Sequence, residues 1–364
     1  MCLFFEVMSS PPPPFALQYS PQLAELIHQL GCTIALSTYQ AGKLIFLSAT
    51  SPDRLIQLPR TFAKPMGIAE DTGHDHLALA TKDSVITFAN SQQLAEHYPK
   101  APGRYDALYL PRQTYHTGAL DIHDLSYGRD GRLFAVNTLF SCLVEIDQYY
   151  NFTPYWTPSF IDRLSSEDRC HLNGMAMDNG LPKYATSFSQ TNTPQGWRPT
   201  VTQTGTIYDV ESGEVVLTGL GMPHSPRIYD GKLYVLLSAT GELIAVDTEA
   251  GTYEQVRKVK GFVRGMAKAG DYLFIGLSKL RKNSSTFAKL NLPGTDRAGI
   301  VVIHLPSGAL VGDIIYQSSV DEIYDLHALA GKRRANILNT HTEDYKGAVM
   351  IPETTYWAKP NTND

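Results

Sequence analysis

The sequence predicts an all-β fold, a six-bladed β-propeller with a short N-terminal helix. Three observations carry that expectation. Histidine-headed segments recur about 50 residues apart, at Ile122-His123-Asp124-Leu125, Cys170-His171-Leu172-Asn173-Gly174 and Pro223-His224-Ser225-Pro226-Arg227. Each is followed by a turn with Gly or Asp and then an apolar stretch of strand character. The unit that starts at His224 is the clearest: strand, Asp230-Gly231 turn, strand, Thr240-Gly241 turn, strand, then a turn at Gly251. Asp-Gly between alternating apolar runs is a strong hairpin signal. A segment repeated at this spacing is one supersecondary unit used again along the chain.

The elements follow in order. Residues 9–14 read Ser-Ser-Pro-Pro-Pro-Pro, a stiff extended linker, so residues 1–19 are expected to form an N-terminal extension. A single propeller domain is expected over 20–358 and a tail over 359–364. Ser20-Pro21 opens a helix, with Ser as N-cap and Pro at the first helical position. Leu23, Leu26, Ile27 and Leu30 form its apolar face and Gly31 ends it; no other helix is expected. Strands at 33–37 and 43–47 form a hairpin around Gln40-Ala41-Gly42 that closes the ring. Six blades then begin at Lys64, Ile122, His171, His224, Val263 and Tyr324, the last continuing through Asn336 and Ala348.

Composition narrows the function. The 364 residues are 43% apolar, which suits a packed core, and 31 basic against 36 acidic residues leave a net charge of −5. A mildly acidic chain does not advertise a nucleic-acid surface. Four cysteines, Cys2, Cys32, Cys142 and Cys170, form no zinc-finger or CxxC spacing and point weakly to a reducing compartment. Met1 to Met8 is apolar without a basic leader, and no run of about 18 apolar residues occurs. The expectation is a cytoplasmic protein with no membrane partner. No glycine pattern signals a nucleotide.

The heads of inner propeller strands converge on a central channel. Imidazoles at His123, His171 and His224 would arrive there from three blades. Three such ligands suit iron, copper or zinc and leave a position open for water or substrate. Aligning the heads puts Asn173, Arg264 and Met66 in register with Asp124, Ser225 and Asp325. His123, His224 and Tyr324 fall one residue earlier, and His171 one further back. A strand alternates its faces, so one residue of slip changes which side chains point inward.

Asp124, Tyr324 and Asp325 are expected as catalytic or supporting groups, with Asn173 in contact with substrate. Arg227 and Arg264 are expected to hold an anionic group, because a guanidinium matches a carboxylate or phosphate bidentately. Trp197 and Arg198 sit in a loop that could wall the pocket mouth. Cys170 beside His171 invites a Cys/His nucleophile, but strand neighbours face opposite ways.

The strings Gln40-Ala-Gly-Lys-Leu, Asp121-Ile-His-Asp124, Glu167-Asp-Arg-Cys-His-Leu-Asn-Gly174, Met222-Pro-His-Ser-Pro-Arg227 and Glu322-Ile-Tyr-Asp325 run across nearly the whole chain. They resemble an uncharacterised bacterial family of conserved hypothetical propeller proteins, sometimes fused to tetratricopeptide repeats. The resemblance implies the propeller and brings no established activity. Leu237-Ser-Ala-Thr-Gly241 departs from it, where the family pattern reads Asp-Ser-Gly-Thr-Gly.

The leading functional expectation is a metal-dependent enzyme, oxidoreductase or hydrolase, acting on a small anionic molecule or peptide in a histidine-lined channel. The first alternative is a binding module without chemistry, holding a ligand in the funnel or a partner protein at its rim. The second is a calcium-dependent, lactonase-like hydrolase using Asp124, Asn173 and Asp325, since oxygen ligands suit calcium.

Overall fold

The computed structural model describes residues 11–280, 286–287 and 290–358. The apolar start, Ser9-Ser10 of the linker and the 359–364 tail lie outside the described residues.

Turn chemistry and apolar runs divide the chain into six antiparallel sheets arranged in a ring. From the inside outward, blade II is Ile68–Glu70, His76–Ala80, Val85–Asn90 and Ala107–Tyr115. Blade III is Ile122–Tyr127, Leu133–Asn137, Cys142–Ile146 and Thr153–Trp156. Blade IV is Leu172–Asp178, Leu181–Ser187, Gly205–Asp209 and Val215–Leu220. Blade V is Pro223–Tyr229, Lys232–Leu237, Glu242–Asp247 and Thr252–Lys258. Blade VI is Phe262–Ala269, Tyr272–Ser278, Gly299–His304 and Ala309–Tyr316.

Blade I closes the ring from both ends of the chain. Its inner strand, Asp325–Ala330, pairs with Cys32–Thr38, which continues to Lys43–Ser51 and Arg54–Thr61. The N-terminal hairpin expected as a closure is therefore the body of a blade. The expected sixth unit contributes one strand to it. Ala335–Ile337 leaves to pair in parallel with Ala107–Tyr115 of blade II. Ala348–Ile351 and Thr354–Trp357 form a separate hairpin. A short strand, Leu17–Tyr19, inside the expected N-terminal extension, adds the outer edge of blade VI.

The helix spans Gln22–Leu30 and ends at Gly31, whose φ of 60° suits glycine. Ser20 does not cap it. Its hydroxyl donates to Asp313 Oδ1 at 3.1 Å and so ties the helix entry to blade VI. Two more short helices form, Gln92–Glu96 and Asp344–Gly347. Ser91 caps the first of them. Apolar residues fill the spaces between neighbouring sheets. Both faces of a strand such as Cys32–Thr38 are buried, which is why it reads as a continuous run.

The inner strands alternate in kind around the ring. Blades II, IV and VI carry Gly67, Gly174 and Gly265; blades III, V and I carry Asp124, Ser225 and Asp325. A Cβ on Gly174 would collide with Pro226 Cδ, and one on Gly265 would lie 2.9 Å from the Asp325 Cα. The partner side chain then reaches the next blade. Asp124 Oδ2 accepts from Met175 N at 3.1 Å, Ser225 Oγ from Gly265 N at 3.0 Å, and Asp325 Oδ2 from Ile68 N at 2.9 Å. The glycines, not Asn173, Arg264 and Met66, are thus level with Asp124, Ser225 and Asp325. The expected alignment slips by one residue on alternate blades.

Candidate functional site

The inner strand entries present two tiers of side chains. In the lower tier each blade supplies one residue: Met66, His123, Asn173, His224, Arg264 and Tyr324. Two residues earlier, on the same face of each strand entry, stand Lys64, Asp121, His171, Met222, Phe262 and Glu322. All of these except Asn173 line a cleft of about 430 Å³ at one mouth of the channel. Asn173 faces a void of about 10 Å³ with Asp124, Arg227 and Asp325. Lys64, Asp121, His171 and Met222 hold left-handed backbone, with φ of 49°, 54°, 52° and 54°. Such strain gathers at ligand sites when the surroundings enforce it.

The three histidines stand on two tiers. His123 and His171 meet edge to face, with ring centroids 4.9 Å apart. Phe188 lies between His171 and His224, at 4.5 Å and 5.0 Å from them. Among the described residues, no three His, Cys, Asp or Glu side chains are placed to hold a metal ion together. The expected trio is not gathered as one ligand set.

Each imidazole has its Nδ1 fixed from behind. His123 Nδ1 donates to the Asp121 carbonyl at 2.9 Å. His171 Nδ1 lies 3.0 Å from both Asp168 carboxylate oxygens. His224 Nδ1 lies 3.2 Å from the Met222 carbonyl and 2.7 Å from Ser238 Oγ. Ser238 gives its own proton to the Val263 carbonyl, so it accepts from His224. Acceptors at Nδ1 place the proton there and the lone pair on Nε2. Burial, followed by repulsion from His171 and Arg264 and opposed by Asp121, pushes His123 down to about 3. Burial, then Arg264 and the other two imidazoles, holds His224 well below the usual range. Both rings are neutral at pH 7.

The cations of the cleft differ in their partners. Lys64 pairs with Asp121 at 2.8 Å and Lys279 with Asp321 at 2.6 Å. Arg198 lies 4.5 Å over the Trp197 ring and donates to Gln195 Oε1 and Thr286 Oγ1. Arg264 stacks its guanidinium 3.6 Å from the Tyr324 ring centre and has no ion pair among the described residues. The Tyr324 hydroxyl is buried with no hydrogen-bond partner among them. A buried orphan hydroxyl beside a guanidinium without a counter-ion is the pattern of a donor pair aimed at a ligand. Trp197 Nε1 donates to both the carbonyl and Oδ2 of Asp168 at 3.1 Å, and its ring lies 4.3 Å from His171.

Other expected residues serve the scaffold. Arg227 grips Asp124 with two nitrogens, at 2.7 and 3.0 Å, and approaches Asp325 at 3.7 Å. Backbone amides of Leu125, Met175, Ile68 and Leu326 take the remaining positions on these carboxylates. This plug separates the cleft from a cavity of about 230 Å³ at the far mouth. Arg227 is therefore bound to protein carboxylates, and Asp124 and Asp325 have their oxygens taken. Asn173 Oδ1 accepts from Thr186 Oγ1 at 2.8 Å. The oxygen set expected for calcium is engaged in joining blades. Cys170 is fully buried in the core, where burial first of all pushes its thiol up to about 12. It faces away from His171, as strand alternation requires.

Sequence reasoning passed over Asp168, Asp121 and Ser238 as partners of the imidazoles. Asp168 was legible as an acidic residue three positions before His171; Asp121 was not, because its backbone carbonyl is the partner of His123. Ser238 was not, because only blade pairing brings it to His224.

Fold and cleft together define a six-bladed propeller with one blade closed by both chain ends and a polar, aromatic-walled pocket at one mouth. The chain belongs to the family described as a domain of unknown function, DUF4915, whose model matches residues 21–338. No curated protein matches the sequence. Among solved structures, a nidogen/laminin complex contains a chain at 10% identity and TM-score 0.53, covering 82% of this chain and 99% of that one. A protein of unknown function from Bacteroides caccae matches at 10% identity and TM-score 0.51, covering 82% and 98%. At such identity these likenesses show the fold alone. Among the described residues, no helix is long and apolar enough to cross a membrane.

Proposed function

We propose that the cleft binds a small organic anion. The carrying observation is the pair formed by Arg264 and the Tyr324 hydroxyl, which among the described residues have no counter-ion and no hydrogen-bond partner respectively, both lining the same pocket. A carboxylate would receive a charge-assisted hydrogen bond from each. His171, Trp197, Phe188 and Phe262 supply flat walls around the polar groups that converge on the cleft. His171, oriented by Asp168, is the residue best placed for proton transfer if the bound anion is a substrate. A thermal-shift screen of carboxylates and phosphates at pH 7, with chloride as control, tests the reading. Concentration-dependent stabilisation by at least one class is expected; no shift by any of them at millimolar levels would overturn it.

A second reading is a transition-metal centre built on His123 and His171. It is favoured by their ring separation of 4.9 Å and by the oxygen partners on both Nδ1 atoms, the arrangement that prepares an imidazole to ligate. Elemental analysis of untagged protein, followed by titration with zinc, iron and copper, tests it. Stoichiometric metal lost in His171→Ala supports it, and no bound or absorbed metal overturns it.

A further inference from the structure

Building on the organic-anion reading, we propose that the ligand is a hydroxylated acid, held by its carboxylate at Arg264 and Tyr324 and by hydroxyl protons donated to His123 and His224.

His123 and His224 stand one residue before Asp124 and Ser225, as Tyr324 stands one before Asp325. The three are equivalent positions on alternate blades, so they face the same space from three directions. The Asp121 carbonyl cannot donate, so the 2.9 Å contact puts a proton on His123 Nδ1. The Met222 carbonyl and a Ser238 hydroxyl already committed to Val263 do the same for His224. Both rings are buried and Arg264 lines the same pocket, and each of these disfavours a second proton. Each ring therefore presents an Nε2 lone pair, a hydrogen-bond acceptor with no charge.

A ligand with only a carboxylate has nothing to give these two acceptors and would leave both unpaired on binding. An ammonium group could donate, but Arg264 lines the same pocket and repels a cation; of the carboxylates there, Asp121 is paired with Lys64, Asp168 with His171 and Trp197, and Glu322 Oε1 accepts from Thr38 and Gln40. A hydroxyl donates without charge. Two acceptors from neighbouring odd-numbered blades, together with one anion-binding pair, select a polyhydroxy carboxylate over its deoxy counterpart.

Isothermal titration of the full chain with gluconate and with hexanoate tests this directly. Both are six-carbon carboxylates, and only gluconate carries hydroxyls. Gluconate is expected to bind about tenfold or more tighter, two neutral hydrogen bonds being worth roughly that much. In His123→Phe and His224→Phe, which keep a ring and lose the acceptor, gluconate binding should weaken and its preference over hexanoate shrink. Hexanoate binding as tightly as gluconate to the wild-type protein would overturn the proposal and leave the anion reading standing. Failure of both, with no other carboxylate or phosphate bound, would overturn the two together. The wild-type comparison needs no variant to fold. Tighter binding of norleucine than of gluconate would replace the hydroxyl by an ammonium and also overturn it.

Discussion

Arg227 of blade V holds Asp124 of blade III across the channel with two nitrogens, at 2.7 and 3.0 Å. Blade IV lies between them in the ring and is bound to the same carboxylate through Met175 N. One buried ion pair thus ties three blades and seals the channel. Arg227→Met leaves Asp124 and Asp325 without their cation. It should cost about 3–5 kcal/mol of stability in urea unfolding. The double variant Arg227→Met, Asp124→Asn should recover part of that loss. A loss below about 1 kcal/mol for the single variant would contradict the role of the plug.

Acid should destabilise the protein well before carboxylate titration is complete. Unfolded imidazoles take up protons near pH 6.5, whereas folded His123 does so only near 3 and His224 well below the usual range. As pH falls from about 6.5 the unfolded state therefore binds protons that the folded state refuses. Each ring takes away up to about 1.4 kcal/mol per pH unit. Asp325 works the other way. Burial above all, followed by the Asp124 charge and against Arg227, pushes it up to about 6, so it gains a proton in the fold first. Two imidazoles against one carboxyl leave a net fall in stability. Chemical denaturation from pH 7 to pH 4 should show it, and His224→Phe should flatten the profile. An unchanged slope in that variant would mean that His224 is charged in the fold.

The Tyr324 hydroxyl separates stability from binding. Tyr324→Phe removes a buried group with no hydrogen-bond partner among the described residues. Stability should stay the same or rise by up to about 1 kcal/mol. Affinity for an organic anion should fall about tenfold, one charge-assisted hydrogen bond being lost. A stability loss above 1 kcal/mol would show that the hydroxyl is engaged within the protein.

Gly174 tests the inner ring by packing. A methyl there would press on Pro226 and Thr186 Oγ1. Gly174→Ala should cost about 1–3 kcal/mol in thermal or urea unfolding. Neutral behaviour would mean that blades IV and V can part without penalty.

The propeller was legible because turn signals and apolar runs are local, and a repeated unit states them six times. The closure of blade I was not, since nothing in the 325–330 segment says that its partners lie at residues 32–61. The candidate site was legible in kind: His123, His171, His224, Arg264 and Tyr324 do line one cleft. Their roles were not, because a strand's faces alternate and one residue of slip separates a cleft residue from a blade latch. Asp124 and Arg227 look like site residues in sequence for the same reason that makes them latches: they are polar groups on inner strands. Only the partner on the next blade tells the two apart.

In the proposed complex Arg264 holds the anionic group of the ligand. Isothermal titration of wild-type and Arg264→Met protein with gluconate tests it most directly. Saturable binding by the wild type, weakened at least about tenfold in a variant that melts normally, is the predicted result. Equal affinity in both proteins would place the anion elsewhere and contradict the account.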